Sequence, residues 1–497
     1  MQPGSGTYVP SEAFTASGGE RPAGGRTLLV VCPLIVLAAY ALLVHLGSAA
    51  SLPEHTTYYD QLASAFRQGH LYLDASPDPA LLGLADPYDP AQRNGVPYLL
   101  DASLYAGRYY IYFGPVPALL LLPAKAFHPG IIGDEYLVLF FLSGIFLFEC
   151  LLIYRLWRRF FTDLPPWLVA ASLLAAGLVA PLTWIAARPD LYGAAIAGGQ
   201  FFFLAGLYAV LDGFTGQRPS RGRLALSGVL WAAAAGSRFT LVLPIAFVVV
   251  MLELVLLAKE GGLRRFAATI PALTALAVTL GLGMMALGWY NWARFGSPLE
   301  TGLKYQLAGQ DLRPGHSLLF SPAYAMQNLY NYTLHPPART GSPPFLYSAV
   351  GRTKRLWKPM PRPAFYHAQR VTGLLYTGPF LLFGLVPALD LLRKRQKPDN
   401  PQRGAPALRP LVLGLYGVFL INLGFLLAFF WAAERYLMDF LPCLLLLSIL
   451  GFWQLARRTA GRRIPHMLCL AGGIGLMAVS ILVGTLVVLG TLPLEHI

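Results

Sequence analysis

Apolar residues in this chain gather in long unbroken runs, not in alternating or one-faced patterns. "TLLVVCPLIVLAAYALLVHL" (27–46) and "GIGLMAVSILVGTLVVLG" (473–490) are two examples. A bilayer core about 30 Å thick takes roughly 20 helical residues, so runs of this length predict spans. The same reading along the chain predicts about eleven of them. They fall near 27–48, 135–155, 166–186, 190–212, 222–238, 240–258, 268–289, 367–392, 410–432, 437–456 and 467–490. The pair 222–238 and 240–258 could form one long helix, but the later basic clusters would then change sides. The pattern predicts an all-α polytopic membrane protein, a single bundle over 27–497. No internal repeat is visible, which weakens an inverted-repeat transporter.

Two polar intervals are long, 49–134 and 290–366, and long ordered loops are usually functional. With eleven spans both lie on one face. In the first, residues 57–69 read as a helix with Tyr59, Leu62 and Phe66 on one side, stopped at Gly69. Asp-Pro, Asn-Gly and Ala-Gly turn signals follow. "SLYAGRYYIYFG" predicts a short hairpin with Ala-Gly at its tip. "VPALLLLPAKAF" is too short to span and predicts a re-entrant or interfacial segment. Tyrosines beside it suit the headgroup boundary, having an apolar ring and a wet hydroxyl.

Composition supports the membrane reading: 56% of residues are hydrophobic and 12% charged, about half the charge of a soluble domain. The net charge of +14 sits in clusters at run ends, such as "RLWRR" (155–159), "RPSRGR" (218–223) and "RRTAGRR" (457–463). This is the positive-inside pattern and argues against nucleic acid. It predicts a cytosolic N-terminus and the large loops outside. Residues 1–26, rich in Gly, Pro, Ser and Thr, predict a disordered cytosolic tail; the first run is long for a signal peptide and reads as an uncleaved helix. Cys32, Cys150, Cys443 and Cys469 all fall in predicted spans, with no C-x-x-C, and read as packing residues.

A first span, an external helix of the form "YYDQLASAFRQGHLYL", then an acid-bearing loop and interfacial segments resemble the GT-C superfamily. These are polytopic glycosyltransferases that use polyprenyl-phosphate sugars, among them protein O-mannosyltransferases and aminoarabinose transferases. "GVLWAAAAGSRFTLVLP" (228–244), "WYNWARFGSPLETG" (289–302) and "AERYLMDFLP" (433–442) are similar to segments of bacterial members. One departure stands out: where members commonly carry an acidic pair after the first span, this chain reads Glu54-His55.

The resemblance implies attack by an acceptor hydroxyl on a lipid-linked sugar, with a carboxylate as base and arginine on the donor phosphate. Candidate bases are Glu54, Asp60 and Asp101; Asp74, Asp86 and Asp89 lie in turn-forming contexts. Candidate substrate ligands are Arg435, Arg238, Arg188, Arg108 and Arg294, with Tyr59 and Tyr109. For Arg435 a pairing with Glu434 or, at i, i+4, with Asp439 is the bland alternative. The basic stretch "GRTKRLWKPMPRP" (351–363) resembles a headgroup- or acceptor-binding surface. His316, His335 and His367 are scattered and suggest no metal centre. His55 and His70 leave a divalent cation possible, and some GT-C relatives use one.

Two rival functions remain at this point. A transporter or flippase needs buried charge near mid-span; Glu149 and Glu253 read instead as snorkelling near Arg155 and Lys259. A non-catalytic subunit of envelope polymer assembly would tolerate loss of every loop carboxylate. Geometry separates them: an enzyme brings one loop acid and an arginine from a distant span to a shared cavity open to lipid.

Overall fold

The computed structural model describes residues 23–49, 57–215, 219–260, 269–313, 318–354, 365–392 and 408–492. Helix α1 (Ala23–Ser48) leads into a large loop holding α2 (Tyr58–Arg67), the single turn α3 (Pro79–Leu82), the hairpin β1 (Ser103–Tyr105) and β2 (Arg108–Tyr110), and α4 (Val116–Phe127). The next group is α5 (Asp134–Phe160), α6 (Pro166–Leu178), α7 (Leu182–Ala186), α8 (Leu191–Phe214), α9 (Arg221–Ala235), α10 (Val242–Glu260) and α11 (Ile270–Phe295). The second loop carries α12 (Ala325–Thr333), β3 (Ala338–Arg339), β4 (Leu346–Tyr347) and β5 (His367–Ala368). The chain ends with α13 (Leu374–Thr377), α14 (Leu385–Leu392), α15 (Arg409–Ala428), β6 (Trp431–Ala432), α16 (Leu441–Thr459) and α17 (Arg463–Leu489). It is an all-α polytopic membrane protein with three two-stranded ribbons.

Among the described residues, eight helices are long and apolar enough to cross a bilayer. Each matches one of the expected spans. The other three expected spans differ, for local reasons. The span at 166–186 is broken: α6 stops at Leu178 and α7 starts after Pro181. Proline lacks the amide hydrogen that a continuous helix needs, and it pushes the preceding residue out of helical geometry. The span at 367–392 opens as strand β5 and breaks again at Gly378-Pro379. The span at 222–238 is the 15-residue α9, capped at Gly236. Helices α9 and α10 are therefore separate, joined by a turn through Ser237 and Arg238.

Small residues set how closely α9 meets α11. A side-chain carbon on Gly228 would lie 2.6 Å from the Leu276 carbonyl oxygen, and one on Gly283 would lie 2.3 Å from Ala232 Cβ. Without such residues the two backbones could not approach this far in lipid, where close packing replaces the hydrophobic drive. Thr279 Oγ1 then donates to the Ala225 carbonyl at 2.9 Å.

The segments of the first loop form as the pattern predicts. Ala106 and Gly107 both take positive φ, 48° and 71°, which twists a two-residue turn to match its strands. On α2, Tyr58, Tyr59, Leu62, Ala63 and Ala65 are buried. Helix α4 has twelve residues, about 18 Å at 1.5 Å each, well short of a crossing. It exposes Leu119, Leu120 and Phe127 on one side and buries Lys125 on the other.

The two large loops meet. Asp101 N donates to Leu307 O at 3.1 Å, Leu307 N to Ala102 O at 2.9 Å, and Ser103 Oγ to Gly302 O at 2.9 Å. Arg93 donates to the Ala308 carbonyl, and Arg313 pairs with Asp86 at 2.5 Å. Both loops thus lie at one end of the bundle, as expected. The tail 1–22, Glu54, His55, His316 and residues 355–363 of the basic stretch lie outside the described residues.

Candidate active site at the loop end

Asp101 precedes β1 with φ of 61°, a left-handed backbone that most side chains resist. Its carboxylate is held from two directions. Gln306 Nε2, from the second loop, donates to Oδ1 at 2.8 Å. The Tyr192 hydroxyl, from the start of α8, donates to Oδ2. Asp190 caps that helix, accepting from Gly193 N at 2.7 Å, and so fixes where Tyr192 points.

Arg435 reaches the same tyrosine. Its guanidinium carbon lies 4.4 Å from the Tyr192 ring centroid and 5.1 Å from that of Tyr436. Its Nη1 donates to Gln369 Oε1 at 2.5 Å, and its buried Nε has no hydrogen-bond partner in the protein. Arg435 sits in a 3-10 segment, Glu434–Asp439, just after β6. That tighter winding removes the i, i+4 neighbour relation, so Asp439 pairs elsewhere. Its partner is Arg238 in the α9–α10 turn, 201 residues away in sequence: Nη2 to Oδ2 is 2.8 Å and Nε to Oδ1 is 3.3 Å. The bland pairings expected for Arg435, with Glu434 or Asp439, are therefore both absent.

Glu434 points the other way. Thr372 N and Ser348 Oγ donate to its Oε2 at 2.5 and 3.3 Å. Burial pushes its carboxyl up to about 8. The sign follows directly: a carboxyl raised in the fold stabilises most below its ordinary range, and that stability is lost as pH climbs through about 8. We expect the melting temperature of the wild type to fall from about pH 5 to about pH 8 and to level off above that, and the slope to flatten in Glu434→Gln. Thermal unfolding across that range checks this; parallel slopes for the two proteins would contradict it.

Arg188, between α7 and α8, donates to Thr491 O at 3.3 Å and stacks 5.5 Å from Trp184. Burial, then the charge of Arg370, lowers its pKa; Asp190 and Arg435 are also within electrostatic reach. Tyr112, just past the hairpin, completes the group. Burial, then the Asp101 charge, holds its phenol well above the ordinary value, and Arg435 and Arg238 are also within reach. Tyr112 therefore stays a hydrogen-bond donor at neutral pH.

An apolar groove of about 560 Å³ starts at Tyr112 and runs along α11, past Phe239, Met285, Trp289, Trp292 and Leu299. These last five side chains are exposed. The groove's wall depends on Gly114, where an added Cβ would lie 1.9 Å from the Gly236 carbonyl oxygen.

The remaining candidates lie apart from this cluster, except Tyr59, which is within electrostatic reach of Tyr112 and Arg238. Asp60 is buried in α2 against Lys125, whose Nζ lies 2.9 Å away, and also accepts from Ile132 N at 2.9 Å. Removing one partner of a buried pair costs about 3–5 kcal/mol. We therefore expect Asp60→Asn to lower the melting temperature markedly, as scanning fluorimetry would record. A normal melting temperature with lost activity would instead put Asp60 in the chemistry. Arg294 gives its donors to Ile111 O, Tyr290 O and Asn291 Oδ1, and lies over the Tyr290 ring at 3.8 Å. It braces α11 against the hairpin. Arg108 is exposed over Tyr72 at 4.2 Å. Tyr109 is buried in the loop core and Tyr59 beneath it in α2.

Among the described residues, no three His, Cys, Asp or Glu side chains gather as metal ligands would. Glu149 also departs from its expected place. It is 1% exposed with both carboxylate oxygens unpartnered, because Arg155 goes to Asp212 instead. It does not snorkel.

Tyr192, Tyr112, Gln306, Gln369, Arg370 and Asp190 are not among the residues singled out from sequence. Tyr192 and Asp190 carried a signal, a polar "RPDLY" at the mouth of a span. The others carried none.

No family model matches this chain, and no curated protein sequence matches it. Among solved structures it is similar to the archaeal oligosaccharyltransferase AglB of Archaeoglobus fulgidus in complex with an inhibitory peptide and a dolichol-phosphate. The TM-score is 0.44 at 12% identity over 94% of this chain. It is also similar to the apo oligosaccharyltransferase of that organism, with a TM-score of 0.40 at 14% identity over 93% of this chain. The chain spans 56% of the length of each of those structures.

Proposed function

We propose that this protein is a membrane glycosyltransferase of the GT-C kind, moving a sugar from a polyprenyl-phosphate donor to a hydroxyl acceptor on the extracytoplasmic face. One observation carries the reading: Asp101 accepts from the hydroxyl of Tyr192 while Arg435 lies over that tyrosine's ring. A loop acid and an arginine from a distant segment thus share one small space, at the head of an apolar groove.

Asp101 is the base. Its carboxylate takes the proton of the acceptor hydroxyl as the acceptor oxygen bonds to the anomeric carbon. The bond from that carbon to the phosphate oxygen breaks, and the electron pair leaves with the polyprenyl phosphate. Developing charge on that oxygen is met by Arg435, with Arg188 within electrostatic reach of it and the Tyr112 hydroxyl as a neutral donor. Arg238 is already neutralised by Asp439. The groove along α11 takes the start of the polyprenyl chain, whose apolar surface replaces lipid there.

The test is turnover by the purified protein. Incubated with polyprenyl-phosphate-linked sugars and alcohol acceptors in detergent, it should release free polyprenyl phosphate. Failure with every such donor, together with substrate movement across vesicles, would replace this reading with a transporter.

A further inference from the structure

The opposite end of the bundle holds an arrangement that the proposed chemistry does not use. Asp212, near the end of α8, is 7% exposed and faces three arginines. Arg155 Nη2 from α5 lies 2.6 Å from Oδ1, and Arg159 Nη1, one turn on, lies 4.0 Å from it. Arg223 Nη1, from the start of α9, pairs with Oδ2. Two other arginines each pair with a single acid: Arg457 with Asp163 and Arg458 with Asp390. At Asp212 the ratio is three to one, so two positive charges are left over.

These guanidinia are held in place. Arg155 lies 5.0 Å from the Tyr208 ring, and Arg159 Nη2 donates to Thr215 O at 2.6 Å. Arg159 Nε is buried and has no partner in the protein. Arg155 and Arg223 remain partly exposed, at 31% and 53% of their side chains. Side chains already ordered lose little entropy on binding an anion. Arg155 sits five residues before the end of α5, about 7.5 Å in from the helix terminus. Leu226, three residues after Arg223 and so on the same face of α9, is exposed to the surroundings of the bundle.

We propose that Arg155, Arg159 and Arg223 around Asp212 form a site for the phosphate of an anionic phospholipid headgroup. Basic pockets between spans at the cytoplasmic end take such headgroups. The site stands independently of the transferase reading.

The test compares phosphatidylglycerol, phosphatidylcholine and inorganic phosphate on the purified full chain. Native mass spectrometry reads retained lipid, and tryptophan fluorescence reads melting. Phosphatidylglycerol should be retained and raise the melting temperature, while phosphatidylcholine and inorganic phosphate should not. Arg155→Gln and Arg223→Gln should each weaken phosphatidylglycerol binding about fivefold. Asp212→Asn should strengthen it by a similar factor, even if the variant melts earlier, because the competing carboxylate charge is gone. A role confined to tying helices together predicts weaker binding in Asp212→Asn. Equal retention of the two lipids, weaker binding in Asp212→Asn, or stabilisation by inorganic phosphate alone would each overturn the proposal.

Discussion

Replacing Asp101 with asparagine is expected to abolish sugar transfer and leave the protein folded. Removing a positioned general base costs about 10²- to 10⁴-fold. Asparagine is the right probe for two reasons. It tolerates the left-handed backbone recorded at this position, φ of 61°, where alanine would add strain. It also keeps an oxygen to accept from Tyr192, so the junction of hairpin and α8 survives. Release of polyprenyl phosphate by wild type and variant, with matched melting curves, checks the effect. A folded variant with wild-type turnover would remove Asp101 from the mechanism.

The second large effect is expected at Arg435. If Arg435 holds the donor phosphate as proposed, truncation to alanine removes a buried charged contact, a loss of about 2–5 kcal/mol. The account expects it mainly as a raised KM for the lipid-linked donor, with the KM for the acceptor unmoved. Arg435→Lys should fall between the two. Lysine restores the charge but not the planar fork or the stacking over Tyr192. A change confined to the acceptor KM would place Arg435 on the other substrate. Full rescue by lysine would reduce its role to charge alone.

The sequence carries the bundle because a membrane span is a local property: length and apolarity decide it without reference to partners. The hairpin, the amphipathic α2 and the short α4 were legible for the same reason, each fixed by a few neighbouring residues. The broken helices at 179–181 and 378–379 were less so, since an apolar run hides a proline that ends a helix. Pairing was least legible of all. Arg435 beside Glu434 looks like a local ion pair, yet Glu434 turns to Thr372 and Asp439 turns to Arg238. Asp60 looks like a free acid next to the membrane until Lys125 is seen against it. Tyr192 reads as one more interfacial aromatic. Its importance lies in contacts to residues 91 positions before it and over 240 after it, which no local pattern encodes.

The central claim is that an acid and a guanidinium meet at the mouth of a lipid-accessible groove, where a phosphate-linked sugar can reach both. A structure of the protein with a non-hydrolysable polyprenyl-phosphate sugar tests it most directly. The account expects the phosphate against Arg435, the anomeric carbon near the Asp101 carboxylate, and the first isoprene units along α11 past Met285 and Trp289. A donor bound elsewhere, with Asp101 and Arg435 untouched by it, would contradict the account.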